Sequence, residues 1–225
     1  MSEAPGSAVG FVKLLLELAG KLVGNRTSER QSLKNLADRK FNEIQQIHEK
    51  FIDLLTTLTK AVRAAAESVG RTGMSEPALS LLEENIRTLS DERYKESEKR
   101  RGLYEEARVY QWNLVIDRGI FNNIPDELGE QLRSFMSAYC AYFETDMVYR
   151  HTLRHALNEA EETIERLREV ALDDVHQHVM DHFRGEFIHL YGKSSSLIEV
   201  SRSMWARIAE EYHKLNLCFR GYGVS

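Results

Sequence analysis

Apolar residues recur every three or four positions through most of the chain, which is the period of an amphipathic α-helix. The clearest stretch runs from a capping-box pattern at Ser28 to about Val69. One seam of this stretch contains Leu33, Ala37, Ile44, Ile47, Phe51, Leu54, Leu58, Ala61 and Ala65. Lys40 is the one polar exception in the seam. The pattern predicts a long helix packed against a partner and ended by Gly70 and Gly73.

The next helix along the chain is predicted to begin at residues 75–77, where proline can occupy the first turn. Its inner face contains Leu79, Leu82, Ile86 and Leu89. Between residues 91 and 101 the apolar signal disappears, since nine of these eleven residues are charged. We interpret this charged stretch as the middle of a helix that stands clear of the core, supported by i,i+4 charge pairs. A charged docking surface is the alternative interpretation.

The second half of the chain contains no proline after Pro125, which permits very long helices. A helical pattern starts at Asp126 and runs to about Tyr191, as one helix or as two with a bend near residues 172–174. The Gly-Lys-Ser-Ser-Ser sequence at 192–196 predicts a turn, followed by a last helix.

No strand pattern occurs, and short connections favour antiparallel neighbours. The predicted fold class is all-α, an elongated bundle of long antiparallel amphipathic helices with coiled-coil-like packing. Residues 25–225 are predicted to form this bundle as a single domain.

Residues 1–24 are predicted to form a polar tail and a short amphipathic helix. The apolar arc of this helix covers roughly 200°, wider than a core-facing stripe needs. The candidate residues for binding a partner or a membrane are Phe11, Leu14, Leu15, Leu18, Leu22, Lys13, Lys21 and Arg26. An apolar face beside positive charge suits an anionic membrane interface. Burial within the bundle explains the same arc and is the simpler interpretation.

The formal net charge of −5 argues against general binding of nucleic acid, which needs a basic surface. The charge is unevenly distributed, because residues 1–40 contain seven basic and four acidic residues. Cys140 and Cys218 have no metal-binding spacing, and the chain has neither a signal-peptide pattern nor an apolar run of about 20 residues. We therefore expect a reducing, cytoplasmic setting, with peripheral membrane association as the alternative.

Histidines and acidic residues concentrate in one region of the predicted bundle. The histidines are His176, His178, His182 and His189. Two Glu-x-x-His units, Glu186 to His189 and Glu210 to His213, resemble the spacing of di-iron carboxylate bundles. The predicted turn at 192–196 would separate the two units by roughly 25 Å, too far to share a metal. We interpret these histidines as solvated or hydrogen-bonded, and expect no metal, cofactor or catalytic residue.

Cys140 lies in an apolar stretch with Tyr139, Tyr142 and Phe143, which predicts packing rather than thiol chemistry. Ser194, Ser195 and Ser196 have no nucleophile elbow around them, and the chain has no glycine-rich phosphate loop. These observations argue against an enzyme.

Long helices without site chemistry favour a non-catalytic interaction subunit that scaffolds or regulates a larger protein complex, through protein partners and self-association. The alternative is a membrane-acting effector that uses its N-terminal helix. The plan of an apolar helix before a bundle is similar to the cell-death effector bundles of innate immunity, in architecture and without a shared motif. A helical-bundle metalloprotein is the third hypothesis.

Overall fold

The computed structural model describes residues 27–72, 75–116, 126–170 and 177–224. They form four helices: α1 (Thr27–Thr72), α2 (Glu76–Ile116), α3 (Asp126–Glu169) and α4 (Gln177–Gly221). All regular secondary structure in these ranges is helical, which confirms the all-α bundle. The predicted N-terminal helix lies outside the described residues.

Each of the four helices contributes one segment to each of two compact units. In the described residues, unit 1 contains 27–48, 98–116, 126–146 and 203–224, whereas unit 2 contains 49–72, 75–97, 147–170 and 177–202. Each unit has its own core of buried apolar side chains. Leu33, Phe135 and Phe219 are buried in the core of unit 1, and Leu58 and Phe187 in that of unit 2.

Within unit 2, α3 packs antiparallel to α2 and to α4, as their polar contacts demonstrate. On α2 and α3, Ser90 contacts Glu161 at 2.9 Å, while Ser80, earlier on α2, contacts Arg168, later on α3, at 3.1 Å. On α3 and α4, Glu159 pairs with Lys193 and Arg166 pairs with Glu186. In both pairs of helices a later residue on one helix meets an earlier residue on the next, so the predicted antiparallel arrangement is confirmed within this unit.

The prediction of a turn at residues 192–196 is wrong, because α4 continues through them from Gln177 to Gly221. Although the Gly-Lys-Ser-Ser-Ser sequence has low helix propensity, its side chains have specific places in the helical structure. Ser194 is buried, donates a hydrogen bond to the Leu190 carbonyl at 2.9 Å and lies 3.0 Å from the Thr59 hydroxyl. Lys193 pairs with Glu159 on α3 at 2.7 Å. These tertiary contacts override the local preference for a turn.

The segment that begins at Asp126 consists of two helices, since α3 ends at Glu169 and α4 begins at Gln177. The predicted bend at residues 172–174 falls between these helices, outside the described residues. The other predicted boundaries agree closely, because α2 begins at Glu76 and α1 ends at Thr72.

The charged stretch at 91–101 is helical, and the prediction that it stands clear of the core is wrong at Arg100. The Arg100 side chain is 2% exposed and donates a hydrogen bond to the Ile47 carbonyl at 3.2 Å. Within unit 2, Glu92 pairs with Lys50 on α1 at 2.7 Å, and this bond raises the pKa of Lys50. Some of these charges therefore link α2 to α1, while Arg101 and Glu105 form the expected i,i+4 pair at 3.2 Å.

Lys40, the polar exception in the seam of α1, is buried at a core-facing position in unit 1. Its ammonium lies 2.7 Å from the Glu43 carboxylate one turn later on the same helix. Glu43 is only partly buried, so the ion pair brings the buried charge toward solvent. A lysine is tolerated in the seam for this reason.

Aromatic rings fill much of unit 1. Tyr139, Tyr142 and Phe143 are buried, which confirms that they belong to the core. Cys140 is also buried, with its Sγ 3.5 Å from the Ala107 carbonyl. A second aromatic group joins α1 to α4, where the Phe41 ring stacks on Tyr212 at 3.8 Å and on Trp205 at 5.1 Å. His48 is buried, stacks on Trp205 at 5.0 Å and contacts the Tyr142 hydroxyl at 3.3 Å.

The Tyr212 hydroxyl donates a 2.8 Å hydrogen bond to Asp38, and burial raises the pKa of this phenol above its ordinary value, with the nearby Asp38 charge adding to the effect. Folding therefore favours the protonated phenol. Its contribution to stability is complete below the unfolded pKa near 10 and is lost as pH rises through the folded pKa. We expect Tyr212→Phe to cost about 1 kcal/mol at pH 8, from loss of the hydrogen bond.

This difference should narrow above pH 10, because the wild-type chain alone loses the contribution of Tyr212. Urea unfolding of both chains between pH 8 and pH 11 measures it, with Tyr94→Phe, at a tyrosine that is 65% exposed, as the control. A difference that stays constant up to pH 11 would contradict the assigned pKa direction.

The C-terminal end of α4 is closed by a Schellman motif. Gly223 has a φ of +72°, and its N–H donates to the Arg220 carbonyl at 2.9 Å. The Val224 N–H donates to the Phe219 carbonyl at 3.1 Å, and both side chains are buried in unit 1. The left-handed glycine therefore turns the chain so that Val224 packs against the core.

Candidate interaction surface on helix α4

The eight residues that the sequence nominated for partner or membrane binding lie between Phe11 and Arg26, outside the described residues. The structure therefore brings none of them into a described site. Among the described helices, none has the length and apolar character needed to cross a bilayer. The candidate surface lies instead within unit 2, on the part of α4 between residues 177 and 202.

This segment of α4 has a buried face and an exposed face, as helical periodicity requires. The buried face contributes Met180, Phe183, Phe187, Leu190, Ser194, Leu197 and Ser201. The exposed face follows a stripe with spacings of three and four, which we call the α4 stripe: Asp181, Arg184, Gly185, Ile188, Tyr191, Gly192, Ser195, Glu199 and Arg202. Ser195 is partly buried, and the other members are exposed.

Two large side chains at the middle of the α4 stripe expose apolar surface to solvent. Ile188 is 51% exposed and Tyr191 is 37% exposed. Together with Arg184 they line one side of a shallow depression of about 350 Å³, whose other side is formed by Arg63, Ala66 and Glu67 on α1. The Arg63 guanidinium pairs with the Glu67 carboxylate at 3.0 Å. The apolar side chains are thus bordered by charge, as the centre of a protein interface is.

Two glycines on the α4 stripe have no explanation in the packing of this chain. A Cβ atom added to Gly185 or to Gly192 would meet nothing within 4 Å. A glycine inside a helix costs roughly 1 kcal/mol relative to alanine. The fold would therefore accommodate alanine at both positions, and packing within this chain does not require either glycine.

A larger depression of about 670 Å³ lies between α4 and α3, borders the α4 stripe at Asp181 and Gly185, and contains part of the predicted histidine and acidic cluster. Arg166 forms a bidentate pair with Glu186 at 2.9 and 3.0 Å, and His182 lies 3.3 Å from the same carboxylate. The charges of this depression are therefore largely paired within the protein. We regard the smaller depression as the better candidate for binding, because it exposes unpaired apolar surface.

The metal-site hypothesis gains no support from the described residues. Within them, no group of three or more His, Cys, Asp or Glu side chains is placed to hold a metal ion. The two Glu-x-x-His units lie at different positions along α4 rather than on two facing helices, so the reason given for separating them was wrong. Glu186 is paired with Arg166, and Glu210 with Lys214 at 2.8 Å. His176 lies outside the described residues.

Burial, and to a smaller extent the Glu127 carboxylate, raises the pKa of the Cys218 thiol. A raised pKa lowers the thiolate fraction and with it the reactivity of the thiol. This agrees with the expectation that the cysteines serve as small apolar side chains.

Comparisons of the chain with protein-family models, with curated proteins and with solved structures find no match.

The α4 stripe could not be recognised from the sequence while residues 192–196 were interpreted as a turn, because a turn there divides the helix. The signal was available in the spacing of Arg184, Ile188, Tyr191, Ser195 and Glu199, which is that of a continuous helical face.

Proposed function

We propose that this protein is a non-catalytic helical interaction subunit, which scaffolds or regulates a larger protein complex through the α4 stripe. The observation that supports the proposal is the exposed apolar pair Ile188 and Tyr191 beside two glycines that internal packing does not require. Apolar side chains at the centre and charged groups at the rim are the usual composition of a docking surface. A small apolar patch on the surface of a helix is suited to binding another helix.

The proposal predicts that Ile188→Asp abolishes stable complexes of the full-length chain. A carboxylate at the centre of the patch would have to be desolvated on binding, which is costly. The measurement is quantitative affinity purification of tagged wild-type and variant chains. Proteins that bind the α4 stripe, including untagged copies of this chain, should be depleted at least tenfold with the variant.

The matched control is Leu81→Asp, which changes an apolar side chain that is 60% exposed on α2 of the same unit. Circular dichroism should give the same helical content and melting for both variants, because both sites are at the surface. Recovery of the same proteins in the same amounts with Ile188→Asp and with wild type would contradict the docking role of the α4 stripe.

The membrane-acting effector remains the alternative, and it depends on residues 9–23, outside the described residues. Flotation with anionic liposomes, compared between the full chain and a chain lacking residues 1–24, tests it. Flotation of the full chain alone would favour this alternative over an interaction subunit.

A further inference from the structure

The charges at the two ends of the α4 stripe follow a reciprocal pattern. Reading along the helix, the exposed charged residues are Asp181 and Arg184 at one end, and Glu199 and Arg202 at the other. Counted from the bond between Tyr191 and Gly192, Arg184 is as far in one direction as Glu199 is in the other. Asp181 and Arg202 are related in the same way. Each equidistant pair therefore combines an acid with a base.

We infer that the occupant of the α4 stripe is the same stripe of a second copy of this chain, packed antiparallel about a two-fold axis between Tyr191 and Gly192. This inference rests on the proposed docking role of the stripe and identifies its partner. Two-fold symmetry requires that every contact occurs twice. If residue 184 of one copy contacts residue 199 of the other, then residue 199 of the first copy contacts residue 184 of the second. The reciprocal charges meet this requirement.

Four ion pairs form in this arrangement, two for each equidistant combination. Arg184 of each copy faces Glu199 of the other, and Asp181 of each faces Arg202 of the other. No ion pair within the described residues occupies Arg184, Glu199 or Arg202, so their side chains can turn to a neighbour. Charges that flank an apolar seam set the register and orientation of paired helices.

The centre of the same arrangement accounts for the exposed apolar residues and for one of the two glycines. Tyr191 of each copy lies against Gly192 of the other, where the missing side chain leaves room for the ring. Ile188 of each copy faces Ser195 of the other, so a large side chain again lies opposite a small one. Small residues facing large ones allow two helices to approach closely, and this gives Gly192 a structural reason that the single chain does not supply.

Other pairings of the same stripe fit less well. In a parallel pair in register, Arg184 would face Arg184 and Glu199 would face Glu199, and both contacts repel. An antiparallel pair centred on Ile188 would place Arg184 opposite Gly192 and leave its charge without a partner across the seam. The register centred between Tyr191 and Gly192 pairs all four charged residues of the stripe.

The decisive test is reversal of single charges by substitution in the purified full-length chain. Sedimentation velocity measures the dimer dissociation constant of each variant. The wild-type chain should dimerise reversibly. Arg184→Glu alone, or Glu199→Arg alone, should raise the dimer dissociation constant by about tenfold or more, because two attractive contacts become repulsive in each dimer. An equimolar mixture of the two single variants should form a heterodimer of wild-type affinity. The double variant Arg184→Glu with Glu199→Arg should recover the homodimer.

Arg87→Glu is the matched control, since it reverses an exposed arginine on α2 of the same unit and should leave the dimer unchanged. The inference is overturned if the wild-type chain is a monomer at 100 μM, or if its dimer is indifferent to both single reversals. It is also overturned if the chain dimerises only after residues 1–24 are removed, because an internal segment then occupies the stripe. In each of these cases the proposed interaction role is tested independently by the affinity purification with Ile188→Asp.

Discussion

Leu82→Ala is expected to lower the free energy of unfolding by about 3 kcal/mol, whereas Leu81→Ala, at the neighbouring position, should change it by less than about 0.5 kcal/mol. Leu82 is 7% exposed and belongs to the core of unit 2, while Leu81 is 60% exposed. Removal of the buried side chain loses the transfer free energy of its methylene and methyl groups and leaves a cavity. Removal of the exposed side chain does neither.

Because both changes are leucine to alanine on one helix, their effects on helix propensity are the same and cancel in the comparison. Urea unfolding followed by circular dichroism gives the two free energies. If the two substitutions lower the free energy of unfolding equally, the assigned buried face of α2 is incorrect. Leu81→Asp would then no longer serve as a surface control.

The inner face of α2 is a feature that sequence periodicity predicted correctly. Leu79, Leu82, Ile86 and Leu89 were placed on one face by their spacing, and all four are buried. Periodicity succeeds here because an amphipathic helix buries one stripe whatever its partner is. The same rule located the seam of α1.

Prediction failed where a tertiary contact reversed a local preference. The sequence at 192–196 has the composition of a turn, and no local rule reveals that Ser194 lies 3.0 Å from Thr59 or that Lys193 pairs with Glu159. Likewise, a stretch in which nine of eleven residues are charged predicts solvation, while one of them, Arg100, is buried against the Ile47 carbonyl. The partners in these contacts are distant in sequence, so they become visible only when the helices are assembled.

The candidate site was missed for a related reason. Pattern alone shows that Ile188 and Tyr191 are apolar, but their exposure depends on which neighbours α4 meets, and so it requires the structure. The reciprocal order of the charges at 181, 184, 199 and 202 can be read directly from the sequence. It acquires meaning only once these residues are known to share one exposed face of one continuous helix.

Trp205→Ala is expected to destabilise unit 1 by about 3 kcal/mol, the second large effect among our predictions. The indole stacks on Phe41 at 5.1 Å and on His48 at 5.0 Å, and it therefore joins α4 to two turns of α1. Aromatic pairs contribute about 0.5–1.5 kcal/mol each beyond the area that they bury. Trp205 is only partly buried, which keeps the expected cost at the lower end for a tryptophan in a core.

The matched variant is Trp205→Phe, whose smaller ring can still stack on at least one of its two neighbours. Its cost should be less than half that of the alanine variant if ring stacking is the main contribution. The two costs should be nearly equal if contacts specific to the indole, which both variants lack, contribute most of the stability. Urea midpoints of the three chains, measured at one pH, distinguish these cases. A loss below about 1 kcal/mol for Trp205→Ala would mean that the aromatic group of α1 and α4 contributes little to the fold, and that the core around Tyr139 and Phe143 holds unit 1 together without it.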